Sequence, residues 1–164
     1  NSGVNAWVTV LDGNYPDLDN DTTYVESPCL DFSSFTDDPV LSFAGIFQTE
    51  ACCDEGWVEV STDGGATWTK LGTAGSGINW YNDAFDDFWN GISGAPNEWL
   101  NAEHLLDGTA GLSDVKVRFA FSSDFSVTNA GFGLDDISIR EQAQLDLVMI
   151  SVDSPMSGCE LTDA

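Results

Sequence analysis

The sequence predicts an all-β fold, a jelly-roll β-sandwich of two antiparallel sheets. Three observations predict it. Short runs of apolar and polar alternation recur along the chain, clusters of Gly, Asn and Asp separate them, and helix signals are almost absent. At 164 residues, the chain suffices for one domain with a substantial core and a short further piece.

Residues 6–11 open the chain with β-formers, from Ala6 through Trp7 and Val8 to Leu11, and break at Asp12-Gly13-Asn14. Residues 39–47 alternate apolar and small side chains with a period near two, and residues 56–61 alternate cleanly. Residues 114–121 carry the clearest strand pattern. Val115, Val117, Phe119 and Phe121 fall on one face, with Lys116 and Arg118 on the other. Residues 133–139 supply a last strand, with Ile137 and Ile139 sharing a face. Residues 98–106 follow Pro96 and end before Gly108, so a short helix is permitted there. The all-β surroundings favour an extended segment.

The texture changes after Arg140. A polar linker leads into a fresh apolar run at 145–150, from Leu145 to Ile150, then Pro155, Gly158 and Cys159. A strand without a later partner has no face to bury. The expected organisation is therefore a sandwich domain over 1–142, with a linker and the first strand of a following domain over 143–164. The opening Asn1-Ser2-Gly3 lacks an initiator Met, which reads as a processed or excised piece of a larger protein.

Charge is the compositional outlier. Asp and Glu number 28 against four basic residues, a formal net charge of −24, while 42% of residues are apolar and 12% aromatic. That apolar content separates the chain from a disordered acidic tail. Nucleic acid and anionic lipid are bound through Lys and Arg, so neither is an expected partner, and no segment reads as inserting into a membrane. The acidity serves solvation, or supplies hard oxygen ligands for divalent cations, or both.

Residues 61–68 match the Asp-box pattern S-x-D-x-G-x-T-W. Asp63 is placed to accept backbone N–H bonds across a tight turn beside Ser61, Gly65 to take positive φ, and Trp68 to anchor the hairpin. The box is a structural hairpin in this reading.

The loop at 12–21 holds four Asp and two Asn, with Asp17, Asp19 and Asp21 alternating as in the early positions of calcium loops. It lacks the Gly and terminal Glu of an EF-hand, and an acidic solvated loop is the plain alternative. Asp135 and Asp136 sit between apolar Leu134 and Ile137, where unpaired carboxylates are costly, so a hard cation such as Ca²⁺ is the expected partner for at least one. Trp80, Tyr81 and Trp89 lie in an aromatic stretch over 78–89 that invites sugar stacking. Burial of those rings as a plug in the sandwich is the favoured reading.

His104 is the sole histidine and has no nucleophile motif around it, so a structural role is expected and catalysis is not. The cysteines match neither a zinc spacing nor a redox pair. Cys52 and Cys53 are adjacent, and at most one of them is expected to bond Cys29.

Glu26-Ser27-Pro28-Cys29-Leu30-Asp31-Phe32-Ser33, Pro39-Val40-Leu41-Ser42-Phe43, Trp57-Val58-Glu59-Val60-Ser61-Thr62-Asp63-Gly64-Gly65, Val115-Lys116-Val117-Arg118-Phe119 and Gly131-Phe132-Gly133-Leu134-Asp135-Asp136-Ile137-Ser138-Ile139 run in that order. Together they resemble the MAM-like and cleaved-adhesin jelly-roll domains of large secreted bacterial surface proteins, common among Bacteroidota proteins exported by the type IX route. The likeness covers roughly residues 5–141, and the segment after it resembles the start of an Ig-like repeat. The resemblance implies a calcium-stabilised adhesion or structural module without catalytic residues, located outside the cell. Its expected calcium ligands here are Asp17, Asp19, Asp21, Glu26, Asp135 and Asp136. The expected partners are cell-surface glycans or proteins, or neighbouring modules of the same chain. A carbohydrate-binding module appended to a secreted hydrolase or peptidase is the alternative.

Overall fold

The computed structural model describes residues 5–17, 21–95 and 98–142. The linker, the apolar run of the expected second domain, Cys159 and Asp19 lie outside the described residues. The described chain is all-β, with strands β1 (Trp7–Val8), β2 (Thr22–Glu26), β3 (Val40–Gln48), β4 (Glu55–Ser61), β5 (Thr69–Lys70), β6 (Leu100–Leu105), β7 (Lys116–Ser122) and β8 (Gly131–Arg140). They form two four-stranded sheets, β1-β8-β3-β6 and β2-β7-β4-β5, in which every pairing is antiparallel. Apart from the β4–β5 hairpin, each connection crosses from one sheet to the other. The protein is a β-sandwich.

Alternation decides which side chains enter the space between the sheets. Val117 and Phe121 of β7, Val58 of β4, and Leu41, Phe43 and Phe47 of β3 are buried in one cluster, and Phe119 packs against it. On the opposite face of β7, Lys116 pairs with Glu26 at 2.6 Å and Arg118 with Glu59. The Arg118 guanidinium also lies between the Tyr24 and Trp68 rings, 3.8 and 4.2 Å from their centroids. The 98–106 segment is extended, as β6 on β3, with Ala102 and His104 turned inward.

The last strand changes its inward parity midway, from Phe132 and Leu134 to Ile139. A β-bulge is the cause. Between the pairs Ser42↔Ser138 and Ala44↔Asp135, two steps along β3 match three along β8. Asp136 absorbs the extra residue at a φ of 50°, in the left-handed region that Asp tolerates better than most residues, and its N–H donates to Asp135 Oδ1 at 2.8 Å.

The long β5–β6 connection fills the sandwich instead of lying over it. Trp80 and Trp89 are each 1% exposed and Tyr81 is 5% exposed. Their rings meet one another and Phe43 edge-on or tilted, with centroids 4.5–6.0 Å apart. Each buried polar tip is satisfied: Trp80 Nε1 donates to Leu71 O at 2.9 Å, the Tyr81 hydroxyl to the same oxygen at 2.8 Å, and Trp89 Nε1 to Asn79 O at 3.0 Å. Trp89 also exchanges both backbone bonds with Gly56 of β4. A Cβ on Gly56 would stand 2.6 Å from the Phe132 ring, so this close approach requires glycine.

In the Asp-box hairpin, Asp63 accepts from Thr67 N and the Thr67 hydroxyl at 2.8 and 2.7 Å and from Ser61 Oγ at 2.7 Å. Gly65 takes a φ of 100° and donates to Ser61 Oγ, while Trp68 Nε1 closes back on Gly65 O at 3.1 Å. These donors hold the Asp63 carboxyl down at about 2.

Trp89→Ala removes the centre of the plug and is expected to cost about 3–5 kcal/mol of unfolding free energy, measured by denaturant titration. Asp63→Asn tests the box through pH. The folded pKa lies below the unfolded one, so the carboxylate's contribution is present above the unfolded value and fades as pH falls towards 2. The variant is therefore expected to be less stable than the parent at neutral pH, with the gap closing in acid; a gap independent of pH would exclude the carboxylate as its source.

Candidate functional site

The β4–β7 ladder pairs Glu55 with Ser122, so the residues just before β4 and just after β7 must emerge side by side at one end of the sandwich. Asp54 directly precedes β4, and Asp124 follows β7 by two positions. Asp54 closes the β3–β4 crossover, residues 49–54, and is fully buried. Asp124 is the second residue of the β7–β8 crossover, residues 123–130. Thr49 holds the start of the first loop against Gly91, accepting from Gly91 N at 2.9 Å and donating its own N–H to Gly91 O at 2.7 Å.

Three carboxylates meet here, from Glu50, Asp54 and Asp124, each with an oxygen within 4.8 Å of the others. Tyr15 reaches in from the β1–β2 loop, is 1% exposed, and packs edge-on to Phe121. Its hydroxyl donates a short hydrogen bond to Asp54 Oδ2, and Asp54 Oδ1 accepts from Asp124 N at 2.9 Å. Asp124 Oδ1 accepts from Ser126 N and Oγ at 2.7 and 3.2 Å. Burial and the hydrogen bond to Asp54 push the Tyr15 hydroxyl up to about 12, which keeps it a donor across the physiological range.

Glu50 is the member without internal support. Its Oε2 is buried and has no hydrogen-bond partner. Desolvation, then the charges of Asp124 and Asp54, push its carboxyl above the usual carboxylate range. The chain's own cations are committed elsewhere: Lys70 to the Asp86 and Asp87 carbonyls, Lys116 to Glu26, Arg118 to Glu59 and Arg140 to Glu103. An oxygen-only donor set of three carboxylates, one of them carrying a buried oxygen without a partner, fits a hard divalent cation. The second loop also carries backbone strain. Val127, a β-branched residue, has a φ of 54° and turns its carbonyl towards the Tyr15 hydroxyl at 3.4 Å.

The residues expected from the sequence, as far as they are described, fall at several places in the fold. Asp21 lies at this same end, its carbonyl accepting from Ser122 Oγ at 3.2 Å, and Ser123 Oγ reaches Pro16 O next to Asp17. Neither Asp17 nor Asp21 joins the three-carboxylate cluster among the described residues. Glu26 is spent on Lys116 in the second sheet, and Asp135 and Asp136 form the bulge in the first. Among the described members of the expected set, Glu26 therefore lies on one sheet and Asp135 and Asp136 on the other.

The expected disulfide is also corrected. Cys52 bonds Cys53, and Cys29 is free and exposed. Leu30 bridges Val115 just before β7, whereas the loop carrying Cys52 and Cys53 leads into the pair Glu55↔Ser122 at the end of β7. At about 3.3 Å per residue the length of that strand, about 20 Å, separates them, far beyond disulfide reach. Trp80, Tyr81 and Trp89 present no open face for a sugar, because all three lie in the core.

His104 resembles half of a nucleophile–base pair, since its Nε2 lies 2.7 Å from Ser76 Oγ. That hydroxyl is engaged by a local turn, accepting from Thr73 N at 2.9 Å and facing Thr73 O at 2.7 Å. His104 Nδ1 binds Leu105 O at 2.6 Å, and the Asp107 carboxylate stands 3.9 Å away. This arrangement positions a buried ring against Trp80. Among the described residues, no helix is long and apolar enough to cross a membrane. Comparison of the chain with protein-family models and with curated proteins finds no match.

The sequence carried a signal for this site that periodicity does not expose. Glu50 and Asp54 fall between two strong strand patterns, and Asp124 follows the clearest strand. Pairing β4 with β7 is what turns those positions into neighbours.

Glu50→Gln gives the direct test of the orphaned carboxylate. Its folded pKa is raised, so without a cation the favourable, protonated state is full below the unfolded pKa and is lost as pH rises through the folded value. In chelator the variant is expected to melt above the parent at pH 7 and level with it near pH 4. Equal melting at both pH values would show that Glu50 bears no such penalty.

Proposed function

We propose that this chain is a calcium-stabilised, non-catalytic jelly-roll module of a larger secreted or cell-surface protein, with an adhesion or structural role. The observation that carries the calcium part is the meeting of Glu50, Asp54 and Asp124, with one Glu50 oxygen buried and unpartnered and every basic side chain engaged elsewhere. Calcium accepts six to eight oxygens in flexible geometry, so three carboxylates with water completing the shell suit it better than magnesium, which demands a near-ideal octahedron. Extracellular calcium is abundant enough to fill a modest site. The jelly-roll reading is supported by the strand orders β1-β8-β3-β6 and β2-β7-β4-β5, with crossings between sheets at all but one connection.

The adhesion role rests on the resemblance to MAM-like and cleaved-adhesin domains carried by the 131–139 segment and the earlier matching runs. In such a protein the module presents loops at its ends to glycans, proteins or adjoining modules, and the ion rigidifies one of those ends. The carbohydrate-binding alternative loses the aromatic faces it depended on.

Calcium at about a hundred times its dissociation constant stabilises the native state by about 2.7 kcal/mol. For a chain of this size that is expected to raise Tm by about 5–10 °C over the chelated protein. Differential scanning calorimetry with calcium, magnesium and chelator measures it. Asp54→Asn and Asp124→Asn are expected to remove most of the calcium-dependent increment. An identical Tm in calcium and chelator would overturn the reading.

A further inference from the structure

The loop that supplies Glu50 and Asp54 is cross-linked to itself. Cys52 and Cys53 lie between those two ligands and are bonded to each other, and their sulfurs lie within 4.8 Å of a Glu50 carboxylate oxygen. The disulfide and the carboxylate cluster therefore share Glu50. The loop is six residues long, is tied at Thr49 to Gly91, and ends at buried Asp54. Bonding neighbouring side chains closes a small ring that includes the intervening peptide. That ring removes backbone freedom midway between the two ligands.

We propose that the Cys52–Cys53 disulfide sets the affinity of the Glu50–Asp54–Asp124 site, so that reduction of this bond weakens cation binding. The inference rests on the calcium reading of that site. Like-charged carboxylates separate when the chain lets them, and each ordered backbone residue has an entropic cost. With the bridge closed, that cost is met during folding and oxidation, before the ion arrives. With it open, binding must order the loop again, which lowers the affinity. Cys52 is exposed, so a thiolate can reach its sulfur. An external dithiol gives up two electrons and two protons and leaves as its own disulfide; the Cys52–Cys53 bond breaks, and both sulfurs become thiols. Free Cys29, at the far end of β7, takes no part.

The test uses the whole chain with Cys29→Ser, which leaves one redox pair near the site. Calcium binding is measured by isothermal titration on the oxidised protein, on the same protein after a dithiol, and on the Cys52→Ser/Cys53→Ser variant. Reduction is expected to weaken binding by about tenfold, and the double variant to bind weakly with or without dithiol. The dithiol arm needs no substitution near the site, so it decides the matter even where the variant does not fold. Equal affinity of oxidised and reduced protein overturns the coupling and leaves the calcium site standing. Absence of calcium binding by the oxidised protein overturns both.

Discussion

Tyr15 donates to Asp54 across one end of the sandwich, and the arrangement of that end depends on this bond. A fully buried carboxylate is tolerable only when its oxygens are occupied. The Tyr15 hydroxyl occupies one, and the Asp124 backbone amide the other. The two contacts draw together the β1–β2, β3–β4 and β7–β8 connections, which share little sequence proximity. They also leave three acids facing one another where the chain has no cation to spare. Neutralisation from outside is the physical demand this geometry creates.

The remainder of the interior is organised around a different economy of polar atoms. A connection of some thirty residues between β5 and β6 could have crossed the surface. Instead it sends two indoles and a phenol inward, where each finds a backbone carbonyl for its hydrogen. Leu71 O serves both Trp80 and Tyr81, so one carbonyl at the exit from β5 secures the plug. The core is correspondingly aromatic, with edge-on ring contacts between Tyr15 and Phe121 at the acidic end and among Phe43, Trp80 and Trp89 in the plug.

Much of the fold was legible in the sequence because strands announce themselves locally. The alternation at 114–121 put Val117 and Phe121 inward and Lys116 and Arg118 outward, and a period of two requires no knowledge of the partner strand. Asp135-Asp136 reads as a metal-ligand pair until the register on β3 shows an inserted residue there. Acidic residues were harder to rank. In so acidic a chain, adjacency along the sequence, as at Asp17 to Asp21 or Asp135-Asp136, is a weak guide. The carboxylates that meet are separated by up to 74 positions, from Glu50 to Asp124, and only the β4–β7 register unites them. The cysteines obeyed the same logic: pairing followed three-dimensional distance, which the length of β7 denied to Cys29.

The bulge at Asp136 has a consequence for how copies of this protein behave beside one another. β1 pairs with β8 only at Leu134 and Gly133, so beyond that point the described part of β1 offers no ladder to the outer side of β8. A regular strand with a free side is a template on which a second molecule can add its own. Here the inserted residue interrupts the spacing of the hydrogen-bonding groups at Asp135-Asp136. The Asp135-Asp136 step thereby works against edge-to-edge pairing along the described part of this strand.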